Sequence, residues 1–317
     1  RGLRLLETLP DDPEHVAQEL ALQRLLSVTH RNTKGYAAPE VGQALGRARV
    51  LCHQLDRAET LGPILWGLFT FNFARSDLSQ ARHLGEELFA LAQEQQNPAY
   101  LQQAHYALGG TLCNSGGFEE SLNHFEQGIA VYHVDQHRSQ VSMFGVDLGV
   151  FCQAWSTHPM WLLGQLEAAW LRSDAALTLA GTLGHPFSQA LAMAYRAMLL
   201  QFGRDSQQVQ EVAAATIDFC RKHDVGYYKE WATILHGWAL VEQGSLGGID
   251  QLQQGLADFR ASHSQIRVPY YLTLLAEACQ KAGQLHDGLK YVDEALALAA
   301  KTSDDWYSAE TPRLRGD

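Results

Sequence analysis

The chain has 317 residues, 46% of them apolar, with a formal net charge of −11 and a pI near 5.7. That balance argues against a nucleic-acid-binding face, which needs a basic stripe. No apolar run approaches the roughly 18 residues of a membrane span. The five cysteines (Cys52, Cys113, Cys152, Cys220, Cys279) are never closer than 39 residues in sequence. Neither a disulfide framework nor a zinc knuckle is therefore expected. Four of them, Cys113, Cys152, Cys220 and Cys279, sit in apolar helical stretches and read as small buried hydrophobes. Nothing here uses oxidation, so the cytoplasm is the expected compartment.

Residues 1–38 read as an N-terminal helix, a linker or a first repeat. Their start, RGLRLLETLPDD, has no apolar h-region of a signal peptide. A helical face of Val16, Leu20, Gln23 and Ser27 runs beside Leu22, Leu25 and Leu26. The absence of an initial methionine and the abrupt end at Arg315-Gly316-Asp317 suggest a piece of a longer chain.

From residue 39 to 317, helical spacing is nearly continuous and period-two alternation is absent. Short breaks containing Gly, Pro, Asp or Asn separate the segments. Asn97-Pro98, His185-Pro186 and Val268-Pro269 place proline at a helix start, where its missing N–H costs nothing. Alternate helices end on Ser76, Gly116, Gly164, Gly203, Gly244 and Gly283, giving gaps of 40, 48, 39, 41 and 39. The long gap is predicted to hold a lengthened turn at Ser156-Thr157-His158-Pro159.

A finer pattern follows four of those breaks: an apolar residue, a small residue three on, then positions four and three further. It reads Leu78, Ala81, Gly85, Leu88, and then Phe118, Ser121, Phe125, Gly128. It returns as Leu166, Ala169, Ser173, Ala176 and as Leu285, Gly288, Val292, Ala295. This spacing lies on one helix face, and the small residues allow two helices to approach closely. The segments after Gly203 and Gly244 match poorly, and Gly247-Gly248 looks like an inserted residue.

Leu108-Gly109, Leu112, Gly116, Phe118, Ser121, Phe125 and Gly128 follow the order of the tetratricopeptide repeat, which the chain resembles. His105 stands where that motif has tryptophan, Gly128 where it has alanine, and the period is about 40 rather than 34. These longer helices resemble the helical-repeat domain of the maltose-regulon-activator type. Gly164-Gln165-Leu166-Glu167-Ala168-Ala169, Gly237-Trp238-Ala239-Leu240 and Asp304-Asp305-Trp306-Tyr307-Ser308-Ala309-Glu310 share that likeness. The resemblance implies an all-α, right-handed superhelical solenoid of about six or seven antiparallel helix pairs. It also implies a C-terminal place in a bacterial signal-transduction ATPase or cyclase–ATPase fusion.

Catalytic motifs are absent from the sequence. Neither phosphate-binding glycine loop occurs, nor does G-x-S-x-G. His133 and His137 are one helical turn apart but lack a third ligand, and they read as solvated residues at a helix end. Adjacent acids such as Glu86-Glu87 and Glu119-Glu120 point apart and read as solvated faces. The closing Arg-Gly-Asp matches an adhesion tripeptide by coincidence. No metal or cofactor is called for.

In repeats of the resembled type, the first helix of each pair lines the concave side. Counting back from the closing glycines nominates Tyr106, Met193, Trp231, Ile234 and Trp238 as concave-face binding residues. The competing reading packs them between repeats as core. The expected role is a non-enzymatic interaction and regulatory scaffold whose partner is another domain of the parent chain or a separate protein. The alternative is a small-molecule effector sensor, which requires a closed polar and aromatic pocket inside the solenoid. Neither nucleic acid nor membrane is an expected partner.

Overall fold

The computed structural model describes residues 13–55, 60–135, 141 and 145–316. Among them fifteen helices follow one another: α1 Pro13–Lys34, α2 Pro39–Gln54, α3 Leu61–Ala74, α4 Leu78–Glu94 and α5 Pro98–Asn114. Then come α6 Phe118–Ala130, α7 Leu148–Leu162, α8 Leu166–Leu183, α9 Pro186–Phe202 and α10 Ser206–His223. The chain continues with α11 Gly226–Glu242, α12 Gly247–Ala261, α13 Val268–Lys281, α14 Leu285–Thr302 and α15 Glu310–Arg315. From α3 to α14 they form antiparallel pairs, a leading A helix (odd-numbered) and a following B helix (even-numbered), and α1 packs along α2. The fold is an all-α, tetratricopeptide-like solenoid.

One turn chemistry sets the repeat. After each A helix a single residue takes the left-handed conformation: Ser76, Gly116, Gly164, Arg204, Gly244 and Gly283. The next N–H then reaches back five residues, as Asp77 does to Asn72, Gly117 to Leu112 and Gln284 to Cys279. This Schellman closure satisfies carbonyls that a helix end leaves free. The expected break at Gly203 is corrected by one residue. Gly203 has φ −72, and Arg204 carries the left-handed turn at φ 59. Asp77 and Asp205 then cap the B helices through Gln80 N–H at 3.1 Å and Gln208 N–H at 3.0 Å.

The B-helix pattern extends further than the sequence suggested. α10 buries Val209, Ala213, Thr216 and Cys220, and α12 buries Gly248, Leu252, Gly255 and Phe259. Both keep the same face, with Ser206 and Ser245 in place of the leading apolar residue. Gly248 is not an insertion but the closest approach of its pair. A Cβ there would stand 2.3 Å from the Gly237 carbonyl oxygen.

The turn expected at Ser156–Pro159 does not exist. All four residues lie buried inside α7. The Ser156 and Thr157 hydroxyls donate to the carbonyls of Gln153 at 2.9 Å and Ala154 at 2.6 Å, and apolar Trp155 and Met160 hold the helix through Pro159. The extra length of that unit falls between α6 and α7, a stretch only partly described. All five cysteines are buried and unpaired in disulfides. No helix among the described residues is long and apolar enough to cross a membrane. His137 and Asp317, and with them the histidine pair and the terminal tripeptide, lie outside the described residues.

Candidate functional site

Two connecting segments close the solenoid on itself. Between α12 and α13, the N–H groups of Gln265 and Ile266 both donate to the carbonyl of Ala74, at 2.8 and 3.2 Å. Between α14 and α15, Asp305 and Trp306 donate to the carbonyl of Asn114, at 2.8 and 3.2 Å. Ala74 and Asn114 end α3 and α5, where carbonyls lack helical partners. Late repeats are thereby tied to early ones across the interior. The Trp306 ring, 5% exposed, fills the space among His158, Phe202 and Tyr270, with centroids 6.0, 5.7 and 5.0 Å away.

Beside this plug the A helices enclose an aromatic chamber of about 620 Å³ of unfilled space, part of it open to solvent. An aromatic ladder climbs its wall, one ring from each A helix from α3 to α11. Trp66 meets Tyr106 at 5.3 Å, Tyr106 meets Trp155 at 5.6 Å, Trp155 meets Tyr195 at 5.9 Å, and Tyr195 meets Trp231 at 5.5 Å. Tyr227 and Tyr228 from α11 and Tyr36 from the α1–α2 turn complete the lining.

The chamber contains one charged residue, Arg267. It is 2% exposed and sits in the left-handed region at φ 61, immediately before α13. Its guanidinium lies 4.7 Å from the Trp155 ring, 4.5 Å from Trp231 and 5.4 Å from Tyr195. Nη2 donates to the Tyr195 hydroxyl at 2.8 Å. No described carboxylate lies within 4.0 Å of the guanidinium. Burying an unpaired cation costs several kcal/mol, of which each ring offsets about 0.5–2 kcal/mol. Ring faces and one hydroxyl, rather than a carboxylate, therefore surround this charge.

Asp304, from the second closing segment, accepts the Arg267 backbone N–H on Oδ2 at 2.7 Å, while Oδ1 is buried without a partner. Burial pushes its carboxyl up to about 7, against the pull of the Arg267 N–H and charge. Burial likewise holds His158 well below the usual imidazole range, with Arg267 adding to the effect. The Trp231 N–H lies beside the Tyr227 hydroxyl and the Trp155 N–H beside Cys113, yet neither reaches hydrogen-bond geometry. Among the described residues no three His, Cys, Asp or Glu side chains could hold a metal.

The nominated residues divide. Tyr106 and Trp231 line the chamber, at 7% and 1% exposure. Ile234 is fully buried and turned toward Gly255 of α12, its own pair partner. Trp238 is also buried, but its Nε1 donates to Glu277 at 3.3 Å, beneath Arg204 at 5.4 Å. There Arg204 forks onto Glu277 and approaches Glu242, linking three consecutive repeats. Met193 is half-buried and outside the chamber. The ring facing inward from α9 is Tyr195, nine residues before the left-handed Arg204, whereas a count of ten from Gly203 lands on Met193. Counting back nine or ten residues from each left-handed cap would have found Trp66, Trp155 and Tyr195 alongside Tyr106. Arg267 carried no comparable sequence signal.

Fold and chamber together define a helical-repeat solenoid closed around an internal cavity. The sequence matches no family model. It is 23% identical over 259 residues to an uncharacterized protein of Rhizobium meliloti (strain 1021), covering 80% of this chain and 24% of that one. The chain thus spans about a quarter of the length of that relative. Among solved structures it superposes on a Rap protein complexed with competence and sporulation factor. The TM-score is 0.68 at 11% identity, covering 90% of this chain and 76% of that one. The apo form of RapI gives 0.60 at 12% identity, covering 89% and 98%. At these identities the likeness is one of fold.

Proposed function

We propose that this chain is an effector-sensing regulatory domain of a longer signalling protein, with the effector held in the interior chamber. The supporting observation is the closure itself. An open concave groove would leave a stripe of each A helix exposed, but α5 is buried from Gln102 through Asn114. α5 thus offers a protein segment no exposed concave stripe, and the space beside it is the aromatic chamber. The two closing segments give binding a route outward, because Arg267 stands at the end of one and Asp304 in the other. The Rap protein that carries competence and sporulation factor is a precedent at the level of fold. The length of the Rhizobium relative fits a parent of the ATPase or cyclase-fusion kind, in which protein contacts use the outer surface.

The test is a thermal-shift screen of the 317-residue chain against a broad library of metabolites and neutral aromatic compounds. A true ligand raises the melting temperature by mass action, about 2.7 kcal/mol at a hundredfold excess over Kd. The shift should vanish when the chamber is filled by Ala74→Phe. A screen with no stabilising compound, alongside cross-links from a protein partner to A-helix residues, would return the domain to a plain interaction scaffold.

A further inference from the structure

We propose that the chamber takes a small organic carboxylate with a flat apolar body, its carboxylate on Arg267 and its body among the aromatic rings. This rests on the effector-sensing reading above and gives it a ligand class.

The argument begins with charge. Arg267 is always protonated and presents five N–H donors in a planar fork. One described hydrogen bond is made, to Tyr195, and the guanidinium also lies over the Trp155 and Trp231 rings. Asp304 does not neutralise it. That carboxyl commits Oδ2 to the Arg267 backbone N–H and stays beyond ion-pair distance of the side chain. Among the described residues no Asp, Glu or Lys lines the chamber, and Asp304, raised to about 7 by burial, is the nearby acid a bound anion would meet. One guanidinium matches one carboxylate, fork to fork. A phosphate dianion would bring a second charge without a counter-ion, and a neutral guest would leave the guanidinium unpaired. The buried, unpartnered Trp231 N–H offers a further donor on the same wall.

The shape argument is independent of charge. Apart from Arg267, the walls offer ring faces, indole and tyrosine edges and the Thr70 hydroxyl. The rings touch one another at 5–6 Å centre to centre and form a continuous aromatic wall, whose free faces suit a flat apolar group.

Three matched probes decide the matter: 1-naphthaleneacetate, 1-naphthaleneacetamide and 1-naphthyl phosphate. Each is titrated into the 317-residue chain and followed by calorimetry and by quenching of tryptophan emission. The carboxylate is expected to bind at least tenfold more tightly than the amide or the phosphate. In Arg267→Gln, shown folded by circular dichroism, the acid and the amide should bind within threefold of each other. If that variant does not fold, the acid-to-amide ratio in the unaltered chain decides alone. Equal binding of acid and amide overturns the role of Arg267 while leaving the chamber a ligand site. Tighter binding of the phosphate overturns the carboxylate assignment. Failure of all three probes, with neutral compounds still stabilising the chain, also overturns the inference. Failure of every compound in both experiments removes the sensing reading as well.

Discussion

The A and B helices are of similar length, but the A helices are more apolar and carry fewer charges, and the two sets pack differently. Each B helix buries one stripe, and the same stripe recurs in all six from α4 to α14. The A helices are buried on nearly every side; α13 is enclosed from Val268 through Cys279. The B helices share one task, packing on the A helices through small residues, so one pattern serves them all. The A helices face an interior that does not repeat: one plug, one chamber, one arginine. Periodicity therefore marks the scaffold, and departures from it mark the site.

The largest expected effect tests the interior. Trp306→Ala removes the plug among His158, Phe202 and Tyr270 and should cost about 4 kcal/mol. Denaturant melts measure the loss. Hydrogen exchange should show faster opening of the amides of Asp305 and residue 306, which bond to Asn114. Gly248→Ala tests the other side of the comparison. Its new methyl group would meet the Gly237 carbonyl oxygen, which no rotamer change can move, at a cost of about 3 kcal/mol. That variant should melt earlier while the closing segments keep their protection below the transition. If both variants expose the closing segments equally, A and B helices are not separable in the way argued.

A middle-sized effect belongs to the seam between repeats. The carboxylate of Glu277 is held below its usual range, since its bonds to Arg204 and Trp238 outweigh the opposing effect of burial. A lowered folded-state pKa gives stability that is present above the unfolded value and lost as pH falls through the folded one. Glu277→Gln should therefore cost about 2 kcal/mol at pH 7, discounted because Arg204 is partly exposed. The cost should shrink steadily below pH 4.5. A pH-independent difference would mean that Glu277 acts through packing alone.

How much of this could be read from the chain follows the same division. The paired helices and their period were legible, because glycine in left-handed caps and small residues at crossings are dictated locally. Arg204 was not, since Gly203 beside it carried the expected glycine signal, and the register of α9 was set one residue early. Pro159 argued for a turn, and helix packing overrode it. Ladder rings could be counted from the caps. The contacts of Gln265 with Ala74 and of Asp305 with Asn114 could not, because each spans well over a hundred residues and depends on how the superhelix closes. Arg267 is legible only once that closure is known.

The smallest expected effect bears most directly on the site. Burial raises Asp304 to about 7 in the folded chain, against a value of 3.8 when exposed. The folded state therefore holds a proton that the unfolded state has released. Stability should fall as pH rises between about 4 and 7, and level off outside that window. Asp304→Asn keeps an acceptor for the Arg267 N–H and removes the titration. Its stability relative to the unaltered chain should match below pH 4 and gain about 1 kcal/mol above pH 7. A shift from 3.8 to about 7 sets a ceiling of about 4 kcal/mol at about 1.4 kcal/mol per pH unit, and relaxation around the buried charge keeps the gain well below it. The same experiment in 1-naphthaleneacetate joins the two closing segments. A carboxylate on Arg267 cancels the positive charge that draws Asp304 down, so the window should move to higher pH. A window unmoved by a bound carboxylate would separate Asp304 from the ligand and leave it a purely structural acid.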